Sequence, residues 1–410
     1  MTDIQKENKS GGKVPNLRFP GFEDAWEVKK LGEVATNFMY GMNTAATVYD
    51  GENQYIRITD IDERTRLFTP NPLSSPDGEL EDKYLLEKGD ILFARTGASV
   101  GKSYLYSEKD GKIFFAGFLI RLNVKTENPY FIFSQTLTEK YQKWVLTMSM
   151  RSGQPGINAE EYKLLPIALP SFEEQSEIAF FLSKIDERIQ TQSKIIEGLK
   201  KLKVATAKKI FSQEFRFKDD KGNDFSEWEE ILLGEVMSIP EKTKAQNIDK
   251  NKLLTVKLHL KGVLKNDNTD TLSFGATNYF IRKKGQFIYG KQNLFNGAFD
   301  IIPDEFDGFL SSGDVPTLEI NNSKINSSFL LYLMGRKEFY KPLEDFATGS
   351  GSKRIHEKTL LGIKIPFPSL PEQTKIANFL SAIDSKIDIE NQLLQKLEEQ
   401  KKFLLQNMFV

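Results

Sequence analysis

The sequence predicts a mixed α/β protein with two globular modules, each followed by a long helix, the two helices forming an antiparallel coiled coil. Three observations support this prediction. The chain repeats itself at a spacing of 198 residues. Each copy ends in a charged stretch whose apolar residues recur at steps of three and four, the spacing of a helical seam. The stretch before each helix has short alternating apolar runs and many glycines, which is typical of curled strands.

Composition narrows the class of protein. The 410 residues suffice for two or three domains, and 39% hydrophobic with 28% charged residues is ordinary for a globular chain. The chain has no cysteine and two histidines, so thiolate metal sites are excluded, histidine-based sites are disfavoured, and a cytoplasmic location is expected. We expect no membrane span and no signal peptide. A net charge of −1 argues against a simple basic DNA binder, although partner chains can supply phosphate contacts.

The repeat is clearest where each helix begins. Residues 169–189 and 367–387 are identical at 12 of 21 positions. The interiors of the two copies align only loosely, at offsets between 196 and 202 residues. A duplicated enzyme would tend to keep the same chemical residues in both copies, so this pseudo-twofold repeat disfavours catalysis. The entries to the two copies also match, at Arg18-Phe19 and Arg216-Phe217, and at Trp26 and Trp228 with the Leu-Gly-Glu-Val that follows each.

These matches predict the division of the chain. The predicted segments are an N-terminal tail and lead-in (1–22), a first module (23–170), a first long helix (171–213), a second module (214–366) and a second long helix (367–410).

Both long helices carry a start signal and a seam. Ser171 with Glu174, and Ser369 with Glu372, fit capping boxes. Both seams are interrupted by polar residues at equivalent places, Gln192 with Glu390 and Lys203 with Lys401, which indicates that the helices pack on each other in a defined register. The alternative is a pair of amphipathic helices buried in an ordinary core. The predicted seam residues are Ile178, Leu182, Ile185, Ile189, Ile196, Leu199, Ile376, Leu380, Ile383, Ile387, Leu394 and Leu397.

The repeated P-S-x-x-E-Q-x-x-I-A-x-F-L-S-x-I-D-x-x-I helix, after each of two dissimilar modules, resembles the specificity subunit of type I restriction–modification systems. The resemblance runs from about Val14 to Val410 and includes the G-D-I-L-F-A-R-T-G hairpin of the first module. The second module departs from the hairpin pattern, reading G-Q-F-I-Y-G-K-Q-N. Assignments of contacts are therefore weaker there.

The resemblance implies a division of labour. Each module is a target recognition domain that reads one half of a bipartite, asymmetric site in double-stranded DNA. The paired helices set the spacer and dock two copies of a methyltransferase subunit, which binds S-adenosylmethionine and methylates adenine. Restriction subunits, using ATP and Mg, translocate and cleave DNA. This chain itself is implied to be non-catalytic and to bind neither cofactor nor metal.

Candidate DNA contacts follow from the chemistry of base recognition. Arg or Lys can donate to guanine, and Asn or Gln can pair with adenine, from loops that enter the major groove. Each module has three suitable places, which we call its first, second and third contact stretches. In module one they contain Arg57, then Arg95, Thr96, Ser99 and Lys102, then Arg151 and Gln154; in module two they contain Lys257, then Lys291, Gln292 and Asn296, then Lys353 and Arg354.

Three motifs have simpler interpretations than the chemistry they suggest. Gly97–Ser103 resembles a phosphate-binding P-loop but has three residues between its glycines where four are required. Asn128-Pro129, with Asn326 in the second copy, is interpreted as a helix N-cap rather than part of a methyltransferase motif. His356 beside Lys353 and Arg354 is interpreted as a loop or surface residue.

Three alternatives to a specificity subunit make different predictions. A stand-alone DNA-binding regulator would bind specific DNA without partners. A coiled-coil scaffold would tolerate substitution of the basic loop residues. A P-loop enzyme would bind nucleotide in a manner abolished by Lys102→Ala.

Overall fold

The structure, a computed structural model, describes residues 14–150, 155–267, 277–349 and 351–410. The chain divides into two compact units, one comprising Met1–Lys194 and Gln392–Val410, the other Ile195–Asn391. Unit 1 therefore contains the first module, the start of the first long helix and the end of the second. Unit 2 contains the second module with the complementary helix parts. The predicted division kept each long helix as one segment, whereas the compact units share both helices.

Unit 1 is a mixed α/β fold. Its strands are β1 (Glu27–Lys30), β2 (Ala35–Tyr40), β3 (Ala46–Val48), β4 (Gln54–Ile56), β5 (Ser74–Pro76), β6 (Asp90–Ala94), β7 (Ser103–Leu105), β8 (Ile113–Phe115), β9 (Leu119–Val124) and β10 (Pro166–Leu169). Its short helices are α1 (Leu31–Val34), α2 (Pro129–Gln135), α3 (Glu139–Ser149) and α4 (Ala159–Lys163). The first long helix, α5, is Phe172–Phe211.

The core of unit 1 forms around an antiparallel sheet in the order β2-β9-β6-β7. Strand β6 is buried at every residue because it pairs on both sides, which explains its continuous apolar run after Asp90. Asp90 itself is paired with Asn123 of β9, whose Nδ2 donates to Asp90 Oδ1 at 2.7 Å. Burial raises the pKa of Asp90. Three two-stranded pairs, β1-β10, β3-β5 and the parallel β4-β8, complete the strand pairing described.

Unit 2 repeats this architecture. Its strands are β11 (Glu229–Leu232), β12 (Met237–Ser238), β13 (Leu254–Val256), β14 (Val263–Lys265), β15 (Tyr279–Ile281), β16 (Phe287–Tyr289), β17 (Phe299–Ile301), β18 (Leu310–Ser312), β19 (Thr317–Ile320) and β20 (Lys364–Phe367). Its short helices are α6 (Ser327–Met334), α7 (Lys337–Tyr340) and α8 (Glu357–Leu361), and the second long helix, α9, is Leu370–Asn407.

The main sheet of unit 2 has the order β12-β19-β16-β17, which matches the main sheet of unit 1 strand for strand. A polar pair occupies the same place in unit 2, with its carboxylate and amide exchanged between the strands, but here the amide is buried and the carboxylate is exposed. Gln286 Nε2 donates to Glu319 Oε1 at 2.6 Å, at the places occupied in unit 1 by Asp90 and Asn123. Both units thus have one carboxylate and one amide hydrogen-bonded at this place. The contact between the strands is the same, although the residues that make it differ.

The start of each long helix binds the entry to its own unit through a buried glutamate. Glu174 and Glu372 are 1% and 0% exposed. Arg18 Nε and Nη2 each lie 2.7 Å from a carboxylate oxygen of Glu174. Arg216 forms the same forked contact with Glu372, at 3.2 and 3.0 Å. The repeated Arg-Phe entry and the repeated helix motif are therefore two halves of one contact.

This contact corrects the predicted capping boxes. Ser171 Oγ does accept from Glu174 N at 3.3 Å, but the glutamate carboxylates bind the arginines instead of capping the helix. Ser369 Oγ has no hydrogen-bond partner among the described atoms. The physical reason is burial, because a carboxylate removed from water requires a cation more than it requires one backbone amide.

The glutamine of the motif has a separate structural task. Gln175 Oε1 accepts from Asn128 N at 3.1 Å, and Gln373 Oε1 accepts from Asn326 N at 2.9 Å. Asn128 in turn caps α2, and Asn326 caps α6, through their side-chain oxygens. The interpretation of these asparagines as helix caps is confirmed, and the motif glutamine fixes each cap.

Within each unit, the start of one long helix packs against the end of the other, an antiparallel arrangement. Nine of the twelve predicted seam residues are buried, and Leu199, Ile383 and Leu394 are half-buried. In unit 1, residues 178–189 and 397–408 share one apolar core with the module. In unit 2, residues 376–380 and 210–211 do the same. The polar seam residues Gln192 and Glu390 are also buried.

Among the residues that the structure describes, none of the helices combines the length and apolarity that a bilayer crossing requires.

Candidate nucleic-acid interface

In unit 1 the backbone joins the second contact stretch to the residues just after the third. Ile157 N donates to Arg95 O at 2.9 Å, and Gly97 N donates to Pro155 O at 3.1 Å. The third stretch itself, with Arg151 and Gln154, lies outside the described residues. The structure therefore brings the flank of that stretch against Arg95 without describing its side chains.

Unit 2 makes the same connection. Ile355 N donates to Lys291 O at 2.9 Å, next to Arg354. The first stretch also reaches the second here, because His259 N and Leu260 N donate to carbonyls of residues 296 and 297 at 2.9 and 2.8 Å. Backbone hydrogen bonds thus join the second stretch of unit 2 to residues next to both the first and the third.

The equivalence between units is specific at one position. Arg95 and Lys291 each accept, through the backbone carbonyl, a hydrogen bond from an isoleucine that follows the third stretch. The two residues are at equivalent backbone positions in the two units, but the side chains around them differ. Shared backbone with different side chains is the arrangement expected of two readers of different sequences.

Arg95 is the best placed donor in unit 1. Its guanidinium lies 4.7 Å from the centroid of the Tyr40 ring, and Tyr40 Oη accepts from Ala159 N at 3.2 Å. Within the described part of the chain Arg95 forms no ion pair. An arginine stacked on a fixed ring keeps its N–H edges free to donate, which suits bidentate recognition of guanine.

Lys102 faces inward in this structure, an orientation that does not support its predicted role as a DNA contact. Its side chain is 5% exposed, and Nζ donates to Ile58 O at 3.2 Å and Ile61 O at 3.0 Å. A 2.5 Å ion pair with Glu63 completes its contacts. A glycine-rich loop suggests exposure, but here the lysine turns inward and ties the first contact stretch to the second. Ser99, which is half-buried, donates to Glu63 at 3.3 Å.

The same observations remove the P-loop interpretation. Residues 97–99 form one 3-10 turn, and the chain continues into strand β7 rather than a helix. A P-loop lysine must reach a phosphate, whereas the ammonium of Lys102 is occupied by carbonyl oxygens.

Arg57 already has a carboxylate partner in this structure. It lies just after β4, at the start of a 3-10 turn. Its Nε and Nη2 bind Asp60 at 2.8 and 2.9 Å, and this hydrogen-bonded partner raises the pKa of Arg57. These two donors are therefore already hydrogen-bonded within the protein. Thr96 is half-buried and bridges to Gly156.

In unit 2, Lys291 is also committed to a carboxylate. Its side chain is 12% exposed, and Nζ lies 3.1 Å from Oε2 of the buried Glu357. Burial raises the pKa of Glu357, but backbone hydrogen bonding, Lys291 and Lys242 together outweigh burial and lower it. Lys291 thus anchors the second stretch to α8. The prediction of Lys291 as a base contact is not supported by this inward orientation.

The remaining predicted residues of unit 2 stay at the surface. Lys257 is exposed, and Lys353 is exposed with Nζ 3.0 Å from Glu344. Asn296 Oδ1 accepts from Lys341 at 2.9 Å. Gln292 is exposed, and its amide satisfies its neighbours when it is assigned with the oxygen toward Arg354, where that oxygen accepts from Arg354 Nη2 at 3.0 Å. Gln292 and Arg354 therefore form one polar cluster, as the sequence could not show.

No group of three or more metal-ligating side chains occurs among the described residues. His356 is exposed at the start of α8, as a surface residue.

Two residues beside this interface were missed by the sequence prediction. Phe118 and Asp314 lie on short turns next to Arg95 and Lys291, and both are exposed. The signal available was a glycine aligned at an offset of 196 residues, at Gly117 and Gly313. Phe118 and Asp314 have neither the basic nor the amide side chain on which the prediction of base contacts depended.

Known proteins resemble this chain over nearly its whole length. The family model for the type I restriction modification DNA specificity domain matches residues 23–201 and 225–399. The MjaVIII specificity subunit of a type I restriction enzyme from Methanocaldococcus jannaschii is 26% identical over 95% of this chain and 92% of its own length. The putative MjaX specificity subunit of the same organism is 29% identical over 79% of this chain and 78% of its own.

Solved structures share the fold. The S subunit of a type I restriction–modification system from M. genitalium superposes with a TM-score of 0.58 at 18% identity, covering 97% of this chain and 99% of that one. A chain from a study of complex assembly and conformational transition in the type I system superposes with a TM-score of 0.53 at 15% identity, covering 94% and 97%.

Proposed function

Because this chain belongs to the family of type I restriction modification DNA specificity domains, we propose that it is the specificity subunit of a type I restriction–modification system. Each unit reads one half of a bipartite, asymmetric site in double-stranded DNA. One observation supports this most directly. The same backbone frame occurs twice, and at its equivalent loops it presents different polar side chains, with Arg95 on Tyr40 in unit 1 and Gln292 with Arg354 in unit 2.

The chain acts without catalysing a reaction itself. Catalysis belongs to its partners, two copies of a methyltransferase subunit that bind S-adenosylmethionine and methylate adenine, and restriction subunits that use ATP and Mg. A duplicated frame supports two copies of one partner, because it offers two equivalent surfaces. The near-neutral net charge also fits a subunit whose partners contribute phosphate contacts.

The experiment is a genome-wide map of N6-methyladenine. Cells that express this chain with its methyltransferase subunit are compared with cells that lack only this chain. We expect a bipartite motif that disappears with the chain. Unchanged methylation, with both proteins shown to be expressed and folded, would contradict the proposal and favour a stand-alone DNA-binding regulator.

A further inference from the structure

A tight turn occupies the same place in both units, next to the second contact stretch. In unit 1 Leu119 N donates to Ala116 O at 2.9 Å, and in unit 2 Val315 N donates to Ser312 O at 3.1 Å. The turns read Ala-Gly-Phe-Leu and Ser-Gly-Asp-Val, with glycine second in each. They differ most at the third residue, which is Phe118 in one unit and Asp314 in the other.

The backbone carbonyl of the third residue of each turn accepts a hydrogen bond from the second contact stretch. Arg95 N donates to Phe118 O at 3.1 Å, and Lys291 N donates to Asp314 O at 2.9 Å. Arg95 and Lys291 are also the residues whose carbonyls bind the flank of the third stretch. The turn is therefore a fourth segment of the interface in each unit, held by the same backbone hydrogen bond.

In unit 1 the turn is held rigidly by neighbouring backbone. Gly117 N donates to Met42 O at 2.7 Å, and Met42 N donates to Phe115 O at 2.9 Å. Gly41 packs so closely against residues 115 and 116 that a side chain at this position would overlap their carbonyls. The turn is fixed on both sides, yet the Phe118 side chain is 63% exposed.

Unit 2 holds its turn by a different device. Arg282 is 4% exposed, and its Nη2 donates to Ser312 O at 3.2 Å and Val315 O at 3.1 Å. Its Nε donates to Ser311 Oγ at 2.7 Å. Burial lowers the pKa of Arg282 to about 10. Within the described residues this buried cation forms no ion pair. Its guanidinium instead donates to neutral oxygens, among them the carbonyls of the turn.

We propose that the third residue of this turn is a base-reading position in both units, with Phe118 contacting a thymine methyl group and Asp314 accepting from the N4 amino group of cytosine. The inference rests on the proposed function. A carboxylate is repelled by phosphates, so within a DNA-facing cluster its favourable partner is a donor on a base edge, which cytosine supplies in the major groove. An exposed phenyl ring matches the apolar surface of the thymine methyl.

Asp314 is free to change partners. Its contact with Arg354 is 3.5 Å long, and the two side chains are 55% and 40% exposed. Exposed pairs of this kind contribute little to stability. DNA can therefore replace Arg354 as the partner of Asp314, while Arg354 turns to another base. The rival explanation is that Asp314 only orients Arg354.

The test uses the full chain co-expressed with its methyltransferase subunit and reads the methylated motif of each variant genome-wide. For Asp314→Ala we expect discrimination at one C·G pair of one half-site to fall by about 5- to 100-fold. Phe118→Ala should relax one T·A pair of the other half-site, and Phe118→Leu should retain part of the preference. Spacer length and every other position should stay unchanged.

Two variants serve as matched controls. Glu305→Gln removes another exposed carboxylate of unit 2, and Leu146→Ala removes another exposed apolar side chain of unit 1, on α3. Neither should alter the motif. Thermal unfolding of each purified variant confirms that exposed substitutions leave the fold intact.

The outcomes separate this inference from the function on which it rests. If the wild-type chain yields no bipartite motif, the proposed function fails. If the wild type yields the motif and both alanine variants reproduce it unchanged, the inference is wrong and the function stands. If Asp314→Ala relaxes only the pair that Arg354→Ala relaxes, Asp314 merely orients Arg354 and the inference is again wrong.

Discussion

Lys203 of α5 donates to both carboxylate oxygens of Asp384 on α9, at 2.6 and 2.7 Å. The repeat provides the counterpart, because Lys401 of α9 lies 2.6 Å from Asp186 of α5. Each pair lies within one unit and joins the start of one long helix to the end of the other. The lysines that interrupt the predicted seams therefore have specific partners, which supports their interpretation as register determinants.

Each aspartate also binds its own module. Tyr332 Oη donates to Asp384 at 2.7 Å, and Tyr130 Oη donates to Asp186 at 2.5 Å. Burial and the neighbouring carboxylate raise the pKa of both tyrosines, that of Tyr332 to about 12. A tyrosine, an aspartate and a lysine thus link three elements in each unit, so the module is oriented by the same contact that aligns the helices.

We expect Lys203→Ala to lower the free energy of unfolding by about 0.5–1 kcal/mol, since the lysine and Asp384 are partly exposed and water screens their attraction. Urea titrations followed by circular dichroism measure this change. The reciprocal variant Lys203→Asp with Asp384→Lys should recover part of the loss. The loss of unfolding free energy in the double variant is compared with the sum of the losses in the two single variants. If the double variant loses as much as that sum, the pair does not interact as described.

Arg216→Ala should be far more damaging. It leaves Glu372, which is 0% exposed, without its guanidinium, and uncompensated buried charges destabilise by about 3–5 kcal/mol. Arg216→Lys should recover little, because an ammonium cannot make the forked contact. Glu227→Gln is the matched control, since that glutamate also contacts Arg216 but is 90% exposed. Equal thermal shifts for the alanine variant and the control would contradict this account.

Tyr332 predicts a stability change at alkaline pH. Its pKa is raised in the folded chain, so its contribution is complete below the ordinary tyrosine value of 10.0 and is lost as the pH rises through about 12. We expect the stability difference between wild type and Tyr332→Phe to shrink over that interval. Unfolding titrations between pH 9 and 12 measure it, with tyrosinate absorbance as the readout of ionisation. A constant difference across the interval would refute the assignment.

The sequence predicted the frame well because the frame depends on local and periodic signals. Apolar residues at steps of three and four define the buried face of a helix, whichever element packs against it. The boundaries of the two copies follow from the segments that match between them. The order of strands in each sheet was not predictable, since it depends on pairings between residues far apart in sequence. The forked contact of Arg18 with Glu174 was missed for the same reason, although both residues were noted.

The interface was predictable only as a set of segments. Sequence showed that three polar loops recur in each module, and the structure brings described parts of them together. It could not show which cations face inward. Lys102 and Arg57 are basic residues of predicted contact stretches, as Arg95 is. In the structure, however, Lys102 is buried among carbonyls and Arg57 is bound to Asp60. Such partners lie on other strands and turns, and only the tertiary fold assigns them.

Lys102 therefore predicts a loss of stability instead of a loss of nucleotide binding. Lys102→Met keeps the side-chain volume but leaves the carbonyls of Ile58 and Ile61 without their donor, which should destabilise unit 1 by about 1–3 kcal/mol. Lys109→Met, at an exposed lysine of the same unit, is the control. Calorimetric titration with ATP and Mg should show no binding to the wild-type chain. Binding that disappears in Lys102→Met would restore the P-loop hypothesis.

Arg95 and Lys257 should affect DNA binding in different ways. Arg95→Ala removes a stacked donor and should reduce discrimination at one base pair, by about 1–3 kcal/mol, in the half-site read by unit 1. Lys257→Ala removes an exposed cation and should weaken binding to all sequences alike, lowering the slope of log affinity against log salt by about 0.9. Fluorescence titrations of the complex with specific and scrambled DNA over a salt series separate the two effects. A uniform loss for Arg95→Ala would show that this arginine contacts phosphate, and the reading role of unit 1 would then have to lie with other side chains of its loops.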